Sequence, residues 1–232
     1  MSAPAALDPA ALGRVVMVSP HDDDGNVGCG GLIQALPAPP LVVVVTDGRL
    51  GYQDAAETDT IVAVRQREAA DSYVRRGVPL QRVVFLGFPD MSLRPYQCWE
   101  TPDGRPGAYQ RLLRLFREER AETVLLPSAA DFHPDHQAAH EAGQVAAVQA
   151  RETLMPDLGP PAPIRLLLAY QVWEPLERPA WRLELDEAQA ERKRHSLRAY
   201  RSQGPIIEEL IRRETLSFTE ERFAELRRMA RA

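Results

Sequence analysis

The chain has 232 residues, 44% of them hydrophobic and 26% charged, with a formal net charge of -5 at pH 7. This is enough apolar material for a sizeable core, yet no run approaches the ~20 apolar residues of a membrane span, and the mixed charge without a basic stripe argues against a nucleic-acid partner. The start, MSAPAALDPAALG, has no basic segment followed by an apolar one, and the two cysteines, Cys29 and Cys98, give no disulfide framework, so a cytoplasmic protein with a flexible tail over residues 1–13 is expected.

In chain order, Val15 to Val18 is a short apolar run suited to a buried parallel strand, and it stops at Ser19-Pro20. Directly after it stand one imidazole and three carboxylates, His21, Asp22, Asp23 and Asp24, then Gly25, Gly28, Gly30 and Gly31, read as residues that let the backbone turn tightly. Leu32 to Leu36 suggests a short helix, and Leu41 to Val45 a second strand ending in Thr46-Asp47-Gly48. A long helix is expected from about Ala56 to Arg76, with Ile61, Val64, Ala69 and Tyr73 on its apolar stripe and Gly77 as its stop. Val83 to Leu86 is a third strand leading into Gly87-Phe88-Pro89-Asp90, and the irregular stretch from Met91 to Gly107 is long enough to form a substrate-facing wall.

Ala108 to Arg120 is helical and Thr123 to Leu126 is a fourth strand. A second cluster follows, Asp131-Phe132-His133-Pro134-Asp135-His136, opening a helix to about Arg151 with Pro134 at its first position. Ile164 to Val172 is strand-like, Trp181 to Leu185 alternates as an edge strand does, and helical patterns cover Asp186 to Arg201 and Phe218 to Met229, with Thr219 or Ser217 as cap of the last. Strands alternating with helices predict a single α/β domain, Rossmann-like, with a mostly parallel sheet flanked by helices. In such a sheet ligands bind beyond the carboxyl ends of the strands, where the two histidine clusters can meet.

Four ionisable groups in a row repel one another in a core, but suit a cleft where a divalent cation offsets the repulsion. The two clusters together supply the His/Asp/His set of a catalytic Zn²⁺, three protein ligands with one position open for water, whereas a structural site is closed by four ligands, usually with cysteines. These residues resemble the PIG-L/LmbE-type zinc-dependent N-deacetylases. Pro20 to Gly25 with Gly30-Gly31 match the family's PHPDDE and following GG pair, and His133 to His136 match its HPDH in full. Weaker echoes are Thr46-Asp47-Gly48, Arg65 with Glu68, Phe88-Pro89-Asp90, and Lys193 to Gln203.

The resemblance implies an LmbE-like fold, a Zn²⁺ or other divalent transition metal held by His21, Asp24 and His136, and Asp23 as general base. It makes His133 the group that polarises the carbonyl or protonates the leaving amine. Asp135 becomes a carboxylate that anchors a histidine ring, with Arg65 and Asp90 as substrate contacts. The implied reaction removes an N-acetyl or other N-acyl group from a small polar amide, such as an N-acetylated amino sugar. Two alternatives stay open: an amidase acting on a larger acyl group, and a non-catalytic ligand-binding protein that retains the metal cluster.

The chain departs from the family in having Asp22 for proline and Gly25 for glutamate, and Asp22 is read as a solvated bystander. His140 is read as a polar helix residue, Cys29 as packed against the sheet, and Lys193, the only lysine, as an unpromising nucleophile in a charged run. Composition leaves the oligomeric state open.

Overall fold

The computed structural model describes residues 3–229. Its strands are β1 (Ala5–Ala6), β2 (Val15–Ser19), β3 (Leu41–Thr46), β4 (Val83–Phe88), β5 (Thr123–Pro127), β6 (Leu166–Tyr170), β7 (Trp181–Glu184) and β8 (Glu220–Arg228). Its helices are α1 (Asp24–Ala35), α2 (Ile61–Arg75), α3 (Ala108–Glu118), α4 (Pro134–Ala150), α5 (Glu187–Leu197) and α6 (Gly204–Arg212). The strands form one sheet in the order β1-β7-β8-β6-β5-β2-β3-β4, parallel except where β8 pairs antiparallel with β6 and β7.

The continuous apolar strands are buried on both faces. In β2, Val15 and Met17 join a core under α1, α2, α5 and α6, while Val16 and Val18 join a second core under α3 and α4. That period of two is the pleat of a strand covered on both sides. The chain runs β2 to β3 to β4 outward on one side, then returns to lay β5 on the other side of β2. The carboxyl ends of β2 and β5 therefore flank the switch point of the sheet, and both histidine clusters begin there.

Several elements differ from their sequence reading. The glycine-rich stretch after His21 is helix, since α1 begins at Asp24 itself. Close approach explains its glycines better than turning does: a methyl group at Gly25 would overlap Met17 and the Tyr73 hydroxyl, and one at Gly28 would overlap Tyr170. The helix kinks at Cys29 (φ -128°), and the Gly31 and Leu32 N–H groups donate to Glu221 at 2.6 and 2.8 Å.

Glu221 belongs to β8, where a final helix was expected. The helix-favouring composition of Glu220 to Arg228 is overridden because Glu221 and Phe223 alternate inward and the segment fills the gap between β6 and β7. Lys193 Nζ lies 2.6 Å from Glu221 Oε1, so the only lysine, within its charged run, is one half of a buried ion pair. With β1 beside it, β7 is interior rather than an edge. Residues expected as a loose tail carry β1 and bury Leu7 and Leu12, while Met1 and Ser2 lie outside the described residues. Among the described residues no helix is long and apolar enough to cross a membrane.

Candidate metal centre

Strand β2 ends at Ser19, and the Pro20 carbonyl accepts both the N–H and the hydroxyl of Thr46, each at 2.9 Å, so the turn is tied to β3 before His21 is reached. Asp24 then accepts the His21 backbone N–H at 2.8 Å through Oδ2. That oxygen is also 3.1 Å from His21 Nδ1 and 3.1 Å from His136 Nε2, while the two ring nitrogens are 3.3 Å apart. Bonds of about 2.0–2.1 Å to a tetrahedral zinc put neighbouring donors roughly 3.3 Å apart, so the three atoms form one face of such a tetrahedron. Residues from the turn after β2, from α1 and from α4 thus fit a divalent cation.

Two wider groupings lie within 4.8 Å, His21 with His133 and His136, and His21 with Asp90 and Asp135. They fit less well. Asp90 Oδ1 and Asp135 Oδ2 approach the opposite nitrogen of His21, Nε2, at 3.1 and 3.4 Å, and His133 Nδ1 is occupied in accepting the Asp135 N–H at 3.2 Å. On the far side of His136, Nδ1 makes an ion-pair contact of 3.1 Å with Asp131 Oδ2. Carboxylates behind ligand histidines fix ring orientation and raise basicity.

Asp131 was not singled out from sequence, although it stands two residues before His133. It accepts the His133 N–H at 3.0 Å and the Trp173 N–H at 3.0 Å, which joins the loop after β5 to the loop after β6. Asp135 also accepts the N–H groups of Met91 and Leu93 at 2.7 and 3.0 Å, so it anchors the 90–93 loop as well as facing His21.

The electrostatics separate the groups. Burial, helped by Asp22 and Asp24 and opposed by Arg65, pushes the Asp23 carboxyl up to about 7. Burial works against a charged His136, but the Asp24 and Asp131 carboxylates outweigh it and push that ring up to about 9. Asp24 is held well below the usual carboxylate range: burial opposes its charge, and His136 and His21 overcome that penalty.

His133 goes the other way. Burial and the neighbouring His21 and His136 lower it to about 4. Because its Nδ1 caps α4 by accepting an N–H, the neutral ring must carry its proton on Nε2. With that lone pair spent on the helix cap, the neutral ring offers an Nε2–H donor.

Asp22 is likewise not a solvated bystander. It is 3% exposed, and Arg65 Nε donates to its Oδ1 at 2.6 Å while a terminal nitrogen of Arg65 sits 3.5 Å from Asp23. Arg65 is 4% exposed, and Asp90 spends its second oxygen on the Leu50 N–H at 3.0 Å. The two residues read as substrate contacts thus line the cavity with Arg65 Nε and both Asp90 oxygens already engaged by protein groups. That cavity, ≈ 150 Å³, is bounded by His21, Asp23, Asp24, Arg65, His133 and Trp173 among others. His140 lies outside it, with Nδ1 2.8 Å from the Pro127 carbonyl, and Cys29 is fully buried with its thiol pushed up by burial.

Residues 16–147 match the PIG-L family, described as GlcNAc-PI de-N-acetylase. The chain is 35% identical over 148 residues to the 2'-N-acetylparomamine deacetylase of Streptomyces fradiae, covering 56% of this chain and 50% of that protein. It spans about half the length of the curated relatives it matches. Among solved structures, N,N'-diacetylchitobiose deacetylase from Pyrococcus horikoshii superposes with a TM-score of 0.76 at 20% identity, covering 92% of this chain and 83% of that one. The conserved protein TT1542 from Thermus thermophilus superposes with a TM-score of 0.72 at 26% identity, covering 94% and 97%.

Proposed function

The chain belongs to the PIG-L family, and from that premise we propose that it is a metal-dependent N-deacetylase acting on an N-acetylated amino sugar or sugar conjugate. The observation that carries this reading is the convergence of His21 Nδ1, Asp24 Oδ2 and His136 Nε2 within 3.1–3.3 Å, with Asp23 and His133 on the same cavity. Relatives named as deacetylases of N-acetylated sugars support the substrate class. The ligand set of two imidazoles and one carboxylate suits Zn²⁺.

When bound, a divalent cation supplies Lewis acidity that ionises water near neutral pH and polarises the amide carbonyl. Asp23, with a carboxyl poised near neutrality, takes the proton of the attacking water. As the C–O bond forms, the carbonyl oxygen becomes an oxyanion, and the Nε2–H of neutral His133 donates to it. Asp23 then returns its proton to the amide nitrogen, the C–N bond breaks, and the amine and the carboxylic acid leave, the acid giving its remaining proton to solvent. Arg65 stays beside Asp23 throughout, which stabilises the carboxylate form before the first transfer and after the second.

An amidase for a larger acyl group is the second reading. Leu50 and Met91, each 51% exposed, line the cavity, and Phe132, 56% exposed, packs against the lining Trp173 with ring centroids 5.7 Å apart, apolar surface suited to more than a methyl group. An amine-release screen of zinc-loaded and chelated protein, over N-acetyl sugars and their longer N-acyl analogues, separates the readings. Chelator-sensitive release from acetylated sugars is expected. Turnover confined to long acyl chains favours the second reading, and turnover that survives chelation overturns both.

A further inference from the structure

A larger cavity, ≈ 650 Å³, lies along the free edge of β4 against α3, outside the metal centre. Its floor is apolar, with Leu86 and Phe88, and four arginines line it, Arg49, Arg105, Arg111 and Arg114, with no Asp or Glu among the described residues that do so. This concentration of cations occurs in a chain whose net charge is -5. Arg49 and Arg105 are partly neutralised by Asp47 and Asp103, each at 2.7 Å. Arg111 and Arg114 pair with no carboxylate of the described residues. Arg111 instead donates to the Leu86 carbonyl at 2.6 Å and lies with Cζ 5.5 Å from the Phe88 ring centroid.

The arrangement has an electrostatic cost that a bound anion would remove. Arg111 is lowered from its ordinary value by burial and by repulsion from Arg105. Two guanidiniums facing one cavity with no acid between them are the complement of a phosphate or carboxylate, which arginine holds through paired N–H donors. The floor adds a site for a flat apolar body, and the volume lies within the range of small-molecule sites. Backbone pairing by a peptide strand is disfavoured, because Arg111 already occupies the Leu86 carbonyl on the open edge.

We propose that this groove is a binding site for an organic anion, a phosphate or carboxylate carried on an aromatic or apolar body, with Arg111 and Arg114 as its principal anchors. Two chain segments connect it to the metal centre: Arg49 precedes Leu50, and Pro89 precedes Asp90, the first of each pair lining the groove and the second lining the metal-centre cavity. The anion is therefore either the far end of the substrate or a separate ligand.

Calorimetric titration of the full chain, stripped of metal, with phenyl phosphate tests the proposal without requiring activity. Saturable binding is expected, weakened by added salt and lowered roughly tenfold or more by Arg114→Gln. Arg111→Gln should act similarly, but it also uncaps the Leu86 carbonyl, so Arg114→Gln carries the decision. Arg94→Gln, which alters an exposed arginine paired with Glu141 outside the groove, should leave affinity unchanged. Absence of saturable binding, or binding indifferent to Arg114→Gln, overturns the proposal. UDP-N-acetylglucosamine, which joins an N-acetylated sugar to a diphosphate and a base, distinguishes the sources. If zinc-loaded protein binds it more tightly than phenyl phosphate and loses affinity on both Arg114→Gln and His136→Ala, the groove holds one end of a substrate. If only Arg114→Gln matters, the groove serves a separate anion.

Discussion

Asp22→Asn removes one charge from a buried pair while nearly conserving volume. The Asp22 and Arg65 side chains are each 5% exposed, and Asp22 Oδ2 has no hydrogen-bond partner, so the carboxylate owes its place to the guanidinium. Removing one member of a buried pair costs about 3–5 kcal/mol, and the low end applies because Asp23 remains 3.5 Å from Arg65 to share the cation. At roughly 2–4 °C per kcal/mol for a chain of this size, a loss of about 3 kcal/mol lowers Tm by about 6–12 °C. Arg65→Met should destabilise comparably, by stranding carboxylates. The double variant should be less destabilised than the sum of the two, with a coupling of about 1–3 kcal/mol. The kinetic effect has a definite sign: loss of the Asp22 charge removes one repulsion that helps raise Asp23 to about 7, so the acid limb of kcat/KM moves to lower pH. Thermal melts of the four proteins and pH–rate profiles of the parent and Asp22→Asn measure both effects. An unchanged Tm for Asp22→Asn, or strict additivity in the double variant, would refute the role of Asp22 as the counter-ion of Arg65.

Asp23→Asn should retain stoichiometric metal by elemental analysis and lose kcat by roughly 10²–10⁴; loss of metal instead would make it a ligand. Asp131→Asn, which withdraws the charge behind His136, should weaken metal affinity about 10–100-fold in a chelator competition, and an unchanged affinity would deny it that role. Metal affinity should rise with pH, because a His136 pushed up to about 9 holds a proton that the cation must displace. The metal-free chain should show the opposite trend in its melts: stabilisation by protonated His136 is complete below the ordinary value of 6.5 and is lost as pH rises through about 9. Affinity and metal-free Tm that are both flat over that interval would contradict the assignment.

The buried strands β2 to β5 and the helix opened by Pro134 were legible from sequence because each is a local pattern, an apolar run with a breaker or a proline at a helix start. The two histidine clusters were legible for the same reason, as short motifs placed just after strands. Local patterns do not say what faces a side chain. Asp22 read as solvated because the charge that buries it, Arg65, lies 43 positions away on α2. Asp131 stood in the second cluster with no role of its own until β5 and α4 brought it to the back of His136. Glu220 to Arg228 carries a helix-favouring composition, and only the vacant place between β6 and β7 made it a strand that delivers Glu221 to α1 and Lys193. By itself the sequence determined the fold class and the donor types. Tertiary structure decided which carboxylate stands behind which histidine and which tautomer His133 adopts, because those depend on contacts between segments that the chain order keeps apart.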